Sequence, residues 1–79
     1  MPLTVLLAAT LRKYIPGYDA GTGYAMQIEG GSSVREVAQR LFIPEQEVKL
    51  IMVNGVHADW DTVLSGDERV AYFPPIGGG

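Results

Sequence analysis

The chain has no cysteine among its 79 residues. That excludes a disulfide staple, a thiolate metal site and a thiol nucleophile. It has one histidine, so His57 has no partner imidazole for a histidine metal site. Positive charge is scarce: six Lys and Arg stand against nine Asp and Glu, a net charge of −3. Nucleic-acid binding draws most of its affinity from phosphate neutralisation, so this balance argues against it. No apolar run approaches the length of a membrane-spanning helix, which argues against a membrane role. The start, Met1-Pro2-Leu3-Thr4, lacks a charged leader segment, and a cytoplasmic location is expected. What the chain has is 47% hydrophobic residues in a length that suits one small domain.

Periodicity divides the chain into elements. Leu3, Val5, Leu7, Ala9 and Leu11 alternate with Thr4, Leu6, Ala8, Thr10 and Arg12, which predicts a long strand from Leu3 to Tyr14. The segment from Tyr14 to Gly23 holds Pro16, Gly17, Gly21 and Gly23 and reads as a loop. A second strand is expected over Tyr24 to Ile28. The period then changes. Ser33 with Glu36 three residues on is a capping box, and Val34, Val37, Ala38, Leu41 and Phe42 mark one helix face. The helix is placed from Ser33 to Phe42, with Pro44 ending it and a short turn over Glu45 to Glu47. Val48 to Val53 reads as a buried strand. Asn54-Gly55 is a strong hairpin signal, returning through Val56-His57-Ala58. Leu64 to Glu68 is a turn, and Arg69 to Phe73 is the last strand.

The order β-β-α-β-β-β describes an α+β domain with one helix laid across a mixed sheet of about five strands. That is the ubiquitin-like β-grasp layout. Val5, Leu7, Val34, Val37, Leu41, Leu50 and Met52 are expected in the core. The domain is expected to span residues 1–74, with a flexible tail over 75–79. The tail, Pro75-Ile76-Gly77-Gly78-Gly79, joins a stiff exit to residues without side chains. It suits a probe that enters a partner's active site and carries the Gly79 carboxylate at its tip.

Other candidate chemistry is thin. Gly21-Thr22-Gly23 lacks the full spacing of a phosphate-binding loop and reads as an ordinary loop. Asp59, Asp61, Asp67 and Glu68 could pair for acid–base work, but they lie in turns where carboxylates bond the local backbone. Ser33 is explained as a cap. Trp60 is read as a partly buried lid, with an interface role as the alternative. Arg12 and Lys13 are solvated strand-end residues or a basic patch for an acidic partner. Leu6, Ala8, Ala71 and Phe73 are expected to form an exposed apolar patch beside the tail. Phe73 has a second possible place in the core.

Several motifs together resemble those of the ubiquitin-like sulfur-carrier proteins, and within them the small subunit of molybdopterin synthase. Ala9-Thr10-Leu11-Arg12 matches an Ala-x-Leu-Arg segment. Ser33, Glu36 and Leu41 match the helix, and Ile51-Met52-Val53-Asn54-Gly55 the strand closing on Asn-Gly. Leu64, Val70, Phe73-Pro74-Pro75 and Gly78-Gly79 match the C-terminal pattern. Phe73-Pro74-Pro75 favours the molybdopterin branch over the thiamine branch. Two departures stand out: Gly66-Asp67 sits one place early, and Gly77 replaces a frequent alanine.

The resemblance implies a sulfur carrier that is a co-substrate, not an enzyme. An E1-like adenylating enzyme would use ATP to activate the Gly79 carboxylate, and a persulfide donor would convert it to a thiocarboxylate. No cofactor or metal is expected on the carrier itself. The receiving partner would be the molybdopterin synthase large subunit, where a pterin precursor takes the sulfur, or, in the alternative pathway, a thiazole synthase. A protein modifier conjugated through Gly79 is a third reading. The implied site comprises Gly78 and Gly79 at the reacting end. Phe73, Pro74, Pro75, Ile76, Gly77, Leu6 and Ala71 would contact partners.

Overall fold

The computed structural model describes residues 2–75. Strand β1, Leu3–Leu7, alternates in burial: Leu3, Val5 and Leu7 are buried, and Thr4 and Leu6 are half-buried. A two-residue period gives one strand two different faces. Strand β7, Arg69–Phe73, repeats the pattern, with Val70 and Tyr72 inward and Ala71 and Phe73 outward. The two strands pair in parallel, Val5 opposite Val70 and Leu7 opposite Tyr72.

Strand β2, Tyr24–Met26, adds antiparallel to β1. Strand β4, Leu50–Val53, adds antiparallel to the other side of β7. Strand β5, Val56–Ala58, pairs antiparallel with β4. The five-stranded order is β2-β1-β7-β4-β5, so β7 is central. Strands β3, Ser32–Ser33, and β6, Val63–Leu64, form a separate two-stranded antiparallel sheet. The mixed sheet with one α-helix is the expected β-grasp architecture. The small second sheet was not foreseen.

The helix α1, Val34–Arg40, begins at Ser33, whose hydroxyl accepts from the Glu36 N–H while the Glu36 carboxylate accepts from the Ser33 N–H. Val34, Val37 and Ala38 are buried and join Leu3, Val5, Leu7, Ile51, Val70 and Tyr72 in one core. The Tyr72 hydroxyl donates 2.8 Å to the Val34 carbonyl, tying the sheet to the first helical turn. Burial pushes the Tyr72 phenol well above its ordinary pKa.

Several sequence expectations need correction. The first strand ends at Leu7, not Tyr14, because the backbone turns at Ala9, φ 50°, into a 3-10 helix over Ala9–Tyr14. Leu11 is fully buried by that helix, so strand-like alternation and the real geometry bury the same residue. The helix stops at Leu41 through a Schellman-type turn. Phe42 takes φ 59°, its N–H donates to Gln39 and the Ile43 N–H donates to Ala38. Pro44 follows an end already made. Leu41 is half-buried at the core's margin.

Leu50 and Met52 are not core residues. Ile51 pairs with Tyr72 and is buried, so its neighbours Leu50 and Met52 face the other side of the sheet.

Candidate docking face and tail exit

The face of the sheet away from α1 is ordered by the strand register. Leu6 lies opposite Ala71, Ala71 opposite Met52, and Met52 opposite His57, a row across four strands. One step further along, Phe73 lies opposite Leu50. Leu6, Leu50, Met52, Ala71 and Phe73 are each half-buried, and His57 is exposed. The expected patch of Leu6, Ala8, Ala71 and Phe73 is therefore assembled on one face, and Phe73 belongs to it rather than to the core. Sequence reading missed Leu50, Met52 and His57. A signal was present: counting back from Asn54-Gly55 puts Met52 opposite His57, and a polar His57 marks the solvent side.

Three concavities subdivide this face. One of about 680 Å³ is lined by Ala8, Lys49, Leu50, His57, Phe73 and Pro75 among others. One of about 230 Å³ lies between Leu6, Arg12, Tyr18 and Phe73, and one of about 500 Å³ between Leu6, Met52, Arg69 and Phe73. Phe73 lines all three and is the hub of the face.

The tail leaves from the same place. The Phe73 carbonyl accepts from the Lys49 N–H at 2.7 Å, and the Tyr72 carbonyl from the Ala8 N–H at 3.2 Å. Both neighbouring strands thus hold β7 up to its last residue. Pro74 is half-buried and Pro75 exposed, and both line the largest of these concavities. Ile76, Gly77, Gly78 and Gly79, and with them the expected flexibility of the tail beyond Pro75, lie outside the described residues.

The remaining candidates have local structural roles. Asp59 accepts from the Asp61 N–H and the Thr62 hydroxyl, and Asp61 accepts from Arg35. Burial alone would raise the Glu68 carboxyl, but N–H groups of Ser65, Gly66 and Asp67 donate to it and hold it below its ordinary value. It organises the turn before β7. Gly23, φ 78°, sits where a Cβ would lie 2.9 Å from the Val5 carbonyl, so its glycine serves close packing. Asn54 and Gly55 take φ 52° and 79°, the geometry of a tight hairpin turn. Trp60 is half-buried and stacks on Tyr72 with centroids 6.1 Å apart, as a lid would. Among the described residues no group of three His, Cys, Asp or Glu is placed to hold a metal, and no helix is long and apolar enough to cross a membrane.

The family model for Mut7-C ubiquitin matches residues 2–77. The chain belongs to the Mut7-C ubiquitin family. Its ubiquitin-like character agrees with the resemblance drawn from the motifs. Solved structures of the same fold include SAMP1 from Haloferax volcanii, 18% identical over all of both chains, TM-score 0.71. A structure of H. volcanii small archaeal modifier protein 1 is 19% identical over 94% of this chain and 97% of that one, TM-score 0.68. A Pyrococcus furiosus protein assigned as molybdopterin converting factor subunit 1 is 24% identical, with the same coverage and TM-score 0.64. No curated protein sequence matches the chain.

Proposed function

We propose that this member of the Mut7-C ubiquitin family is a sulfur carrier. Its Gly79 carboxylate is adenylated by an E1-like enzyme with ATP, releasing pyrophosphate. The outer sulfur of a persulfide donor displaces AMP to form an acyl disulfide. A thiol reductant, itself oxidised to a disulfide, then cleaves the S–S bond and frees the thiocarboxylate. The thiocarboxylate enters the large molybdopterin synthase subunit and donates its sulfur to a pterin precursor bound there. The domain is a co-substrate: it binds, orients and presents, and the partner supplies the chemistry.

One observation carries the reading. The central strand β7 places Ala71 and Phe73 on the apolar face and delivers Pro74-Pro75 at that face's margin. A partner that grips the face therefore fixes the origin of the tail. Six residues from Pro74 to Gly79 reach about 20 Å when extended, enough to enter an active site while the domain stays outside. Glycines at 77–79 let the backbone pass a narrow channel and leave the carbonyl open to attack. The reading requires Gly79 to carry a free carboxylate in the cell, which intact mass of the natural protein checks.

A modifier reading has the fold likeness to small archaeal modifier protein 1 in its favour. One reconstitution separates the two. The chain is incubated with its adenylating enzyme, ATP and a sulfur donor, then divided between the large molybdopterin synthase subunit with a pterin precursor, a thiazole synthase, and a lysine-rich lysate. Dithiolene formation on the pterin is the expected result. Sulfur transfer only to thiazole would move the carrier to the other pathway. Isopeptide conjugates without sulfur transfer would replace the carrier reading by the modifier one.

A further inference from the structure

We propose that the outer sheet face is built for a protein surface with an apolar centre and an acidic rim. This names the partner chemistry of the face described above and rests on its docking role.

The observation is a segregation of charge. The chain carries nine Asp and Glu against six Lys and Arg, yet among the described residues no carboxylate lines any of the three outer-face concavities. The charged or titratable side chains that do line them are Arg12, Lys49, His57 and Arg69. Tyr18 also lines one of them, with its hydroxyl accepting from the Leu7 N–H. Arg12 flanks the Leu6 side, Arg69 the Met52 side, and Lys49 and His57 the tail exit. Arg12, Arg69 and Lys49 therefore make the rim cationic on three sides of an apolar centre.

Among the described residues, Arg12, Lys49 and Arg69 join no ion pair. The ion pairs among the described residues join Lys13 to Glu47 and Arg35 to Glu45 and Asp61. Arg12 holds its place through an Nε hydrogen bond to the Leu7 carbonyl, and no carboxylate among the described residues pairs with it. Covering unpaired cations with a purely apolar partner would strip their water without return. Carboxylates opposite them supply that return and raise the rate of encounter. A nucleic acid fits less well. The molecule as a whole is anionic, which opposes a phosphate backbone.

The test titrates the ¹⁵N-labelled full chain with a helical peptide carrying leucines on one face and glutamates flanking them. Shifts should concentrate at Leu6, Leu50, Met52, Ala71 and Phe73, with a dissociation constant below about 1 mM. Lys49→Glu or Arg69→Glu should weaken binding about tenfold or more. Arg40→Glu, an equal change of net charge on α1, should alter it less than about twofold. A lysine-flanked version of the peptide should bind more weakly. Absence of binding, shifts centred elsewhere, or equal effects of the three variants would overturn the proposal. So would single-stranded DNA binding this face as tightly as the glutamate peptide. The measurement uses no ATP or sulfur, so its failure is separable from failure of the carrier chemistry. A chain that never gains sulfur can still pass it.

Discussion

Phe42 holds φ 59°, a left-handed conformation that glycine adopts freely and an aromatic residue does not, and its side chain is 85% exposed. It makes few contacts that offset the strain. Phe42→Gly should therefore raise stability by about 0.5–1 kcal/mol, after the glycine's greater unfolded-state freedom is counted. Urea unfolding monitored at Trp60 reads this directly. Glu68 gives a pH-dependent counterpart. Its carboxyl is held below the ordinary value, so its stabilisation is full above the unfolded pKa and fades as pH falls through the folded one. Glu68→Gln should be less stable than the parent at neutral pH. The difference should close in acid, where both side chains are neutral. A difference independent of pH would mean that the turn is held by something other than the ionised carboxylate.

At the scale of elements, β4 decides how the sheet's two faces are assigned. Ile51 packs in the core and Met52 stands on the outer face. Ile51→Ala should cost about 2–4 kcal/mol through lost burial and a cavity, and Met52→Ala about 1 kcal/mol or less. Reversed magnitudes would put α1 on the wrong side of the sheet. Gly23→Ala should destabilise by about 1–3 kcal/mol, since φ 78° and the nearby Val5 carbonyl both resist a side chain. The capping box, the Asn54-Gly55 hairpin and the last strand were legible because each has a local signal. The faces of β4 were not. Every residue from Leu50 to Val53 is apolar, so period two is invisible, and only pairing with β7 and His57 sets the phase. The end of β1 was hidden for a related reason: Leu11 is buried by a 3-10 helix at a position that alternation also assigns to the core.

For the whole molecule, the carrier account joins two regions that a single strand connects. In the proposed account the outer face is the grip and the segment after Phe73 is the reach. Phe73→Ala removes the hub of the face without touching the buried core of Val70 and Tyr72. It should leave the domain folded by circular dichroism and raise the carrier's KM for the adenylating enzyme more than it lowers kcat. A fall in kcat alone would place Phe73 in the tail's alignment rather than in docking.

The central claim is that Gly79 is the reacting end. The most direct measurement is intact mass after incubation with the adenylating enzyme, ATP and a sulfur donor, for the wild-type chain and a Gly79 deletion. The wild type should gain about 16 Da as one carboxyl oxygen is replaced by sulfur. The deletion should remain folded and gain little or none, because its carboxylate is withdrawn by about 3.5 Å from the reacting centre. A wild-type chain that never gains that mass, or a deletion that gains it equally well, would contradict the account.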